Sequence, residues 1–180
     1  MKLVILDRDG VINFDSDQFI KSTQEWNPIP GSLEAIASLT QAGFRVVVAS
    51  NQSGIGRGLF DMATLNAIHA KMHKLTAQAG GRIDAVFFCP HTAETLCQCR
   101  KPNPGLLREI AQRLHVDLRG IPAIGDALRD VQAAQKVGAK PILVKTGKGR
   151  RTLESGDLPA EVQVCEDLRE AANIIISETD

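Results

Sequence analysis

Lys2-Leu3-Val4-Ile5-Leu6-Asp7-Arg8-Asp9-Gly10 is an apolar strand that runs straight into two aspartates. Two carboxylates at the exit of a buried strand repel each other. The pair is costly unless a cation offsets it, and a divalent metal with a phosphate-handling site is the usual answer. Residues two apart in extended backbone share a side, so Asp7 and Asp9 face one point if the strand continues. A turn just after Asp7 can aim them together as well, and Gly10 has the backbone freedom for it. Alone, the pair also reads as ordinary turn or capping carboxylates. What stands at the other strand ends decides between the two.

Apolar runs and helical spacings alternate along the chain. Leu3 to Leu6, Phe44 to Ala49, Ile83 to Phe88, Pro122 to Gly125 and Pro141 to Val144 read as buried strands, with a minor strand near Val162 to Val164. Helices are expected over Ser32 to Ala42, from Asp61 as a cap to Gly80-Gly81, after Pro104, over about Asp130 to Val137, and near Leu168 to Ser177. On the second helix Leu65, Ile68, Met72 and Leu75 mark the apolar face, which leaves His69 and Lys74 on the wetter sides. A loop rich in Gly, Lys and Arg follows the fifth strand. Strands alternating with helices give an α/β fold, a doubly wound and mainly parallel sheet. Such sheets bind ligands at the carboxyl ends of their strands.

Four groups stand there. Asp7 and Asp9 follow strand one, and Ser50-Asn51-Gln52-Ser53-Gly54 follows strand two. Arg100 and Lys101 follow strand three and its loop, and Asp126 and Asp130 follow strand four. Singly, Ser50, Asp126 and Asp130 could be caps and Lys101 a solvated lysine. Together they supply a nucleophile, a hydroxyl, a cation and further carboxylates on one rim. Phosphoryl transfer needs in-line attack, neutralised oxygens and a protonated leaving group. A carboxylate can attack, Mg2+ can bridge carboxylates and a phosphoryl oxygen, and a hydroxyl and a lysine can hold the other oxygens.

The chain has 180 residues, expected as a single catalytic domain over 1–180. A domain of this size buries roughly 70% of its unfolded surface. It carries 21 basic and 21 acidic residues, so nothing favours nucleic acid or an anionic membrane surface. No run approaches the ~20 apolar residues that span a bilayer. Asp7, Arg8 and Asp9 interrupt anything like a signal peptide, so a cytoplasmic location is expected, and the even charge suggests no oligomer face, which makes a monomer the default. In that compartment the four cysteines stay reduced, and clustered thiols read first as metal ligands. Cys89, His91, Cys97 and Cys99 crowd into eleven residues and suit tetrahedral Zn2+. A redox pair at Cys97 and Cys99 would have one residue between its thiols where two are usual, and would leave His91 unexplained. With all four positions filled by protein, the zinc of this 89–99 loop is structural. Cys165 reads as a buried thiol, and His69, His73 and His115 as surface or packing residues.

The four strand-end groups resemble the motifs of the haloacid dehalogenase superfamily of phosphatases, in their order and across almost the whole chain. That resemblance implies Asp7 as the nucleophile and Asp9 as general acid and then base. Ser50 and Lys101 bind the phosphoryl group. Asp126 joins Asp7 and the Asp9 carbonyl on magnesium, and Asp130 supports a metal-bound water or Lys101. The Asp7 to Asn13 start, the Ser50 to Gly58 segment with Asn51 and Arg57, the zinc loop, Arg100-Lys101-Pro102 and Lys145-Thr146-Gly147-Lys148-Gly149 resemble a narrower group. It is the D-glycero-D-manno-heptose 1,7-bisphosphate 7-phosphatases with the related histidinol-phosphate phosphatases. The narrower resemblance implies a phosphorylated-sugar substrate, no large cap domain and a place in lipopolysaccharide core heptose biosynthesis. A bisphosphate needs a second cationic clamp, for which Arg57, Arg100 and Lys148 are candidates and Arg100 the best placed. Many relatives carry lysine where this chain has Ala127, so that charge must be lost or supplied otherwise.

Histidinol phosphate is the alternative substrate. A phospho-receiver domain would place its acceptor aspartate after the third strand, where Cys89 stands. Gly54-Ile55-Gly56-Arg57-Gly58 and Thr146-Gly147-Lys148 match no complete nucleotide-binding fingerprint.

Overall fold

The computed structural model describes residues 1–179, so the final residue of the expected 1–180 domain lies outside the described residues. Six strands form one parallel sheet: β1 (Leu3–Leu6), β2 (Arg45–Asn51), β3 (Ala85–Cys89), β4 (Pro122–Gly125), β5 (Lys140–Val144) and β6 (Gln163–Cys165). Their order is β3-β2-β1-β4-β5-β6, with every pairing parallel. The chain winds outward from β1 to β3 on one side and then returns to β4 on the other. The change of direction therefore falls between β1 and β4, where a crevice opens beyond the strand ends.

Alternation along β1 builds two cores. Val4 and Leu6 pack with Leu33, Ile36 and Leu39 of α1 (Ser32–Gln41), Ile68 and Met72 of α3 (Met62–Gln78), and Leu168 and Ile175 of α7 (Leu168–Ser177). Leu3 and Ile5 face the other way, onto Leu106, Leu107 and Ile110 of α4 (Gly105–Leu114) and Ala133 and Ala134 of α5 (Leu128–Lys136). With both faces covered, the strands read as continuous apolar runs. Asp61 caps α3 as expected, its carboxylate accepting from Thr64 N at 2.9 Å.

Two short helices stand where no helix was expected: α2 (Ser53–Gly56) after β2, and α6 (Gly149–Glu154) in the Gly, Lys and Arg-rich segment. Both are too short to show a period. The second is fixed by tertiary contact, since the Thr152 hydroxyl donates to the Asp126 carbonyl at 2.9 Å. β2 also runs two residues further than its apolar stretch, which puts Ser50 and Asn51 on the strand itself. α5 begins at Leu128 rather than Asp130, because Asp130 accepts from the N–H groups at its own helix start.

Gly10 adopts a left-handed φ of 85° in the turn that follows β1. A Cβ there would collide with the Asp126 carboxylate and come within 3.2 Å of the Gly147 Cα. Gly10→Ala is therefore expected to cost about 1–3 kcal/mol, seen as a lower denaturant midpoint. An unchanged midpoint would show that the Asp126 side of the crevice yields freely.

Candidate active site

Asp7 is the first residue beyond β1, and its N–H still donates to the Ile124 carbonyl at 2.9 Å, which fixes it over the crevice. Lys101 arrives from the loop after β3. Its ammonium is buried and donates to the Ala49 carbonyl at 2.8 Å, with Asp7 Oδ1 at 3.2 Å and Asp130 Oδ1 at 2.7 Å. Asn51 holds the backbone of Lys101 from both sides, accepting from its N–H at 3.0 Å and donating to its carbonyl at 3.1 Å. The other Asp130 oxygen accepts from the N–H groups of Asp126 at 3.2 Å and Ala127 at 3.0 Å.

Electrostatics divides these carboxylates. Burial opposes ionisation of Asp130, but Lys101 overcomes it and holds the group below the usual carboxylate range. Burial pushes Asp7 up to about 6, with Lys101 opposing and Asp130 adding to the rise. Burial, then Asp7 and Asp130, push Asp126 up to about 8. Asp7, Asp126 and Asp130 each offer an oxygen within 4.8 Å of the others. Because the Asp130 oxygens are already engaged, Asp7 and Asp126 form the pair short of positive charge. That is the condition a hard divalent cation with oxygen ligands relieves.

Asp9 also faces the crevice. Its Oδ1 accepts from Arg8 Nε at 2.8 Å and Asn13 Nδ2 at 2.9 Å, and its Oδ2 from Gln52 Nε2 at 3.2 Å. Burial works against the charge, but Arg8, Asn13 and Gln52 outweigh it and keep Asp9 below its ordinary value. Arg8 is itself completely buried, which an exposed-turn reading of Asp7-Arg8-Asp9 does not suggest. Its remaining nitrogens meet His69 Nε2 at 3.1 Å and Gln52 Oε1 at 3.3 Å.

His69 is thus a correction. It was expected on a wet side of α3 and is buried. Burial and then Arg8 push it down to about 4, so the imidazole is neutral and its Nε2 can accept from the guanidinium. The signal was present in the spacing: His69 lies four residues after Leu65 and three before Met72, on the apolar stripe. His73 and His115 are exposed, and Cys165 is buried, as expected.

Asp7, Asp9, Asn51, Lys101 and Asp126 line a cavity of about 220 Å³, together with Arg57, Arg100, Lys148 and Arg129. Arg57 lies over the Phe19 ring at 5.6 Å, Arg100 donates to the His91 carbonyl at 3.4 Å, and Lys148 pairs with Asp15 at 2.8 Å. Asp15, Ser16 and Asp17, from the segment between β1 and α1, also reach the cavity and carried no signal in the sequence. Ser50 does not line the cavity itself but lies one hydrogen bond behind Gln52, which bonds Asp9. It is buried, and its hydroxyl accepts from Gln52 Nε2 at 2.8 Å.

The expected zinc residues converge. Cys89 Sγ lies 3.4 Å from His91 Nδ1, 3.8 Å from Cys97 Sγ and 2.8 Å from Cys99 Sγ, and His91 Nδ1 lies 3.3 Å from Cys99 Sγ. Tetrahedral zinc with ~2.3 Å bonds to sulfur would space such atoms roughly 3.5–3.8 Å apart. The set fits the ion, with the Cys89–Cys99 edge contracted. Burial and the neighbouring thiols push Cys89 up to about 12.

A family model described as "HAD-hyrolase-like" matches residues 98–171. The chain is 60% identical over 178 residues to D-glycero-beta-D-manno-heptose-1,7-bisphosphate 7-phosphatase of Bordetella bronchiseptica, covering 99% of each. It is 52% identical over 176 residues to the enzyme of the same name from Pseudomonas putida, covering 98% of this chain and 100% of that one. Among solved structures, D,D-heptose 1,7-bisphosphate phosphatase from B. bronchiseptica complexed with magnesium and phosphate superposes with a TM-score of 0.97 over 99% of both chains, at 60% identity. The chain belongs to the D-glycero-beta-D-manno-heptose-1,7-bisphosphate 7-phosphatase family, within the haloacid dehalogenase-like hydrolases.

The depressed His69 has a consequence for stability. Its folded pKa of about 4 lies below the ordinary 6.5 of an unfolded chain. The unfolded state therefore binds more protons in that window. The contribution is fully present above the unfolded value and is lost as pH falls towards about 4, with a slope of at most about 1.4 kcal/mol per pH unit. His69→Gln, which keeps an acceptor for Arg8, is expected to lose less stability than wild type between neutral and mildly acidic pH. Equal losses in paired denaturation curves would remove His69 from the acid limb.

Proposed function

We propose that this chain, as a member of that family, removes the carbon-7 phosphate of D-glycero-beta-D-manno-heptose 1,7-bisphosphate and leaves the carbon-1 phosphate in place. The observation that carries this is the 60% identity, over 99% of both chains, to an enzyme named for that reaction. The Asp7, Lys101 and Asp126 geometry supplies the chemistry. The relatives' names specify the beta anomer, and none of those given above is a histidinol-phosphate phosphatase.

Asp7 is the nucleophile. One of its oxygens bonds to phosphorus as the sugar oxygen leaves, giving an aspartyl-phosphate. Asp9 gives its proton to the leaving oxygen, then accepts one from the water that attacks phosphorus and regenerates Asp7. The donors around Asp9 suit the basic half of this cycle. An incoming phosphate raises its proton affinity for the acidic half. Lys101 lies against Asp7 and holds a phosphoryl oxygen, and Asn51 keeps the lysine backbone in register. Ser50 reaches this centre through Gln52. Mg2+ would be held by Asp7, Asp126 and the Asp9 carbonyl, where it would neutralise charge on the transferring phosphoryl oxygens. Asp130 orients Lys101. Arg57 and Arg100 line the same cavity and take the second phosphate.

The zinc is structural in this reading. Cys89, His91, Cys97 and Cys99 fill its coordination shell and brace the loop that delivers Arg100 and Lys101. The rest follows the same proposal: a single-domain monomer in the cytoplasm, serving lipopolysaccharide core heptose synthesis and acting on a small phosphorylated sugar without nucleic acid or membrane. Among the described residues no helix is long and apolar enough to cross a membrane.

Magnesium-dependent phosphate release from the beta bisphosphate, beside the alpha anomer and histidinol phosphate, tests the substrate. Preference for the beta anomer is expected, and turnover of histidinol phosphate alone would reassign it. In the same assay Asp7→Asn should lose about 10³-fold or more in kcat with its fold intact, and near-normal activity would remove the nucleophile. Cys97→Ser should emerge without stoichiometric zinc by metal analysis and with a lower Tm; unchanged metal content would dismiss the four-ligand site.

A further inference from the structure

Arg129 is the second residue of α5, and it lines the same cavity as Asp7, Lys101 and Asp126. Its Nε is buried with no hydrogen-bond partner. Among the described residues its guanidinium enters no ion pair, although Asp130, Asp7, Asp126 and Asp15 are the carboxylates whose charges act on it, in that order. A buried donor without an acceptor is unusual in a folded protein and costs stability. The position adds a second cost, because the first turn of a helix repels a cation. Lys136 occupies the favourable last turn of the same helix. Among the described residues nothing compensates Arg129 by direct contact, which leaves its guanidinium free to meet an anion that enters the cavity.

The neighbours say which anion. The two charges that act most strongly on Arg129 belong to Asp130 and Asp7, the same two carboxylates that Lys101 touches. Arg129 therefore lines the same cavity as Asp7 and Lys101, within the field of the two carboxylates that Lys101 touches. Arg57 is engaged with Phe19, and Arg100 with the His91 carbonyl of the zinc loop. Ala127, next to Asp126, brings no charge of its own, so α5 contributes its cation from two positions further along.

We propose that Arg129 is a catalytic residue of this site, donating hydrogen bonds to oxygens of the phosphoryl group transferred to Asp7, alongside Lys101. The proposal rests on the phosphatase reading of the same cavity. A planar guanidinium presents two parallel donors, which suits a phosphoryl group better than a point charge does.

The test is binding of inorganic phosphate to the full-length, zinc-loaded enzyme at saturating Mg2+, followed by calorimetry or by inhibition. R129Q is expected to bind phosphate about 10- to 100-fold more weakly and to lose kcat on the bisphosphate by a comparable factor. R129K should fall between R129Q and wild type, since it restores charge without the fork. If Arg129 only balances the carboxylates, R129Q will bind Mg2+ more tightly and keep wild-type phosphate affinity, and the proposal is overturned. If R129Q does not fold, R129K alone decides: several-fold weaker phosphate binding supports the proposal, and wild-type affinity ends it. The substrate reading fails separately. A wild-type enzyme that binds phosphate with Mg2+ but leaves the heptose bisphosphate intact would reject the sugar, while the Arg129 comparison would still be decided by phosphate binding.

Discussion

The ammonium of Lys101, set between Asp7 and Asp130, is the contact on which the rest of the site depends. It joins three strand ends: the lysine after β3, Asp7 after β1 and the helix start after β4. Burying one cation against two carboxylates is tolerable only when each remaining lone pair and proton is used. Here the third acceptor is the Ala49 carbonyl, and the spare Asp130 oxygen takes two backbone N–H groups. Removing any member would strand a buried charge.

One lysine cannot neutralise the whole cluster. Lys101 and Arg129 oppose the rise of Asp7, and the Lys148 N–H donates to Asp126 Oδ2 at 2.8 Å, yet burial and mutual repulsion still raise both carboxylates. The deficit is useful in a site that must take a divalent cation and a phosphate together. An excess of fixed positive charge would bind phosphate without the metal, and full compensation would bind neither. Asp9 stands outside this deficit because Arg8 serves it privately from behind. Two aspartates two residues apart therefore differ in proton affinity by environment alone, Asp7 raised and Asp9 lowered.

The sheet was legible because parallel strands buried on both faces announce themselves as unbroken apolar runs, and the strand-end rule then pointed to Asp7, Asp9, Lys101 and Asp126. Residues that work through a neighbour were not legible. Arg8, Gln52 and His69 form a buried network whose members lie 44 and 61 residues from Arg8 in the chain, and only the packing of α3 against the sheet brings them together. His69 does sit on the apolar stripe of its helix, so its burial was readable, but its partner was not. Ser50 was placed just beyond strand two, as a phosphoryl-binding hydroxyl, because the apolar stretch ends at Ala49; the ladder continues through Asn51, and the hydroxyl meets Gln52.

The thiol cluster and Lys101 belong to one mechanical unit. Between Cys99 and the start of α4 there is no regular structure to fix the lysine. Its position is set from one side by the paired hydrogen bonds of Asn51 on β2. On the other side, the Gly105 N–H donates to the Gln98 carbonyl at 2.8 Å and Asn103 Nδ2 to the Cys97 carbonyl at 2.9 Å. Those last two acceptors lie inside the thiol loop, whose outer residues, among them a fully exposed Leu96, have no core beneath them. A metal held by the four converging side chains would give the loop a fixed shape, which the loop would hand to Lys101. Gly105 shows how close the fit is, since any side chain there would run into the backbone of Gln98. Lys101 is thus placed by a strand on one side and by the thiol loop on the other, and the precision of the site rests on both.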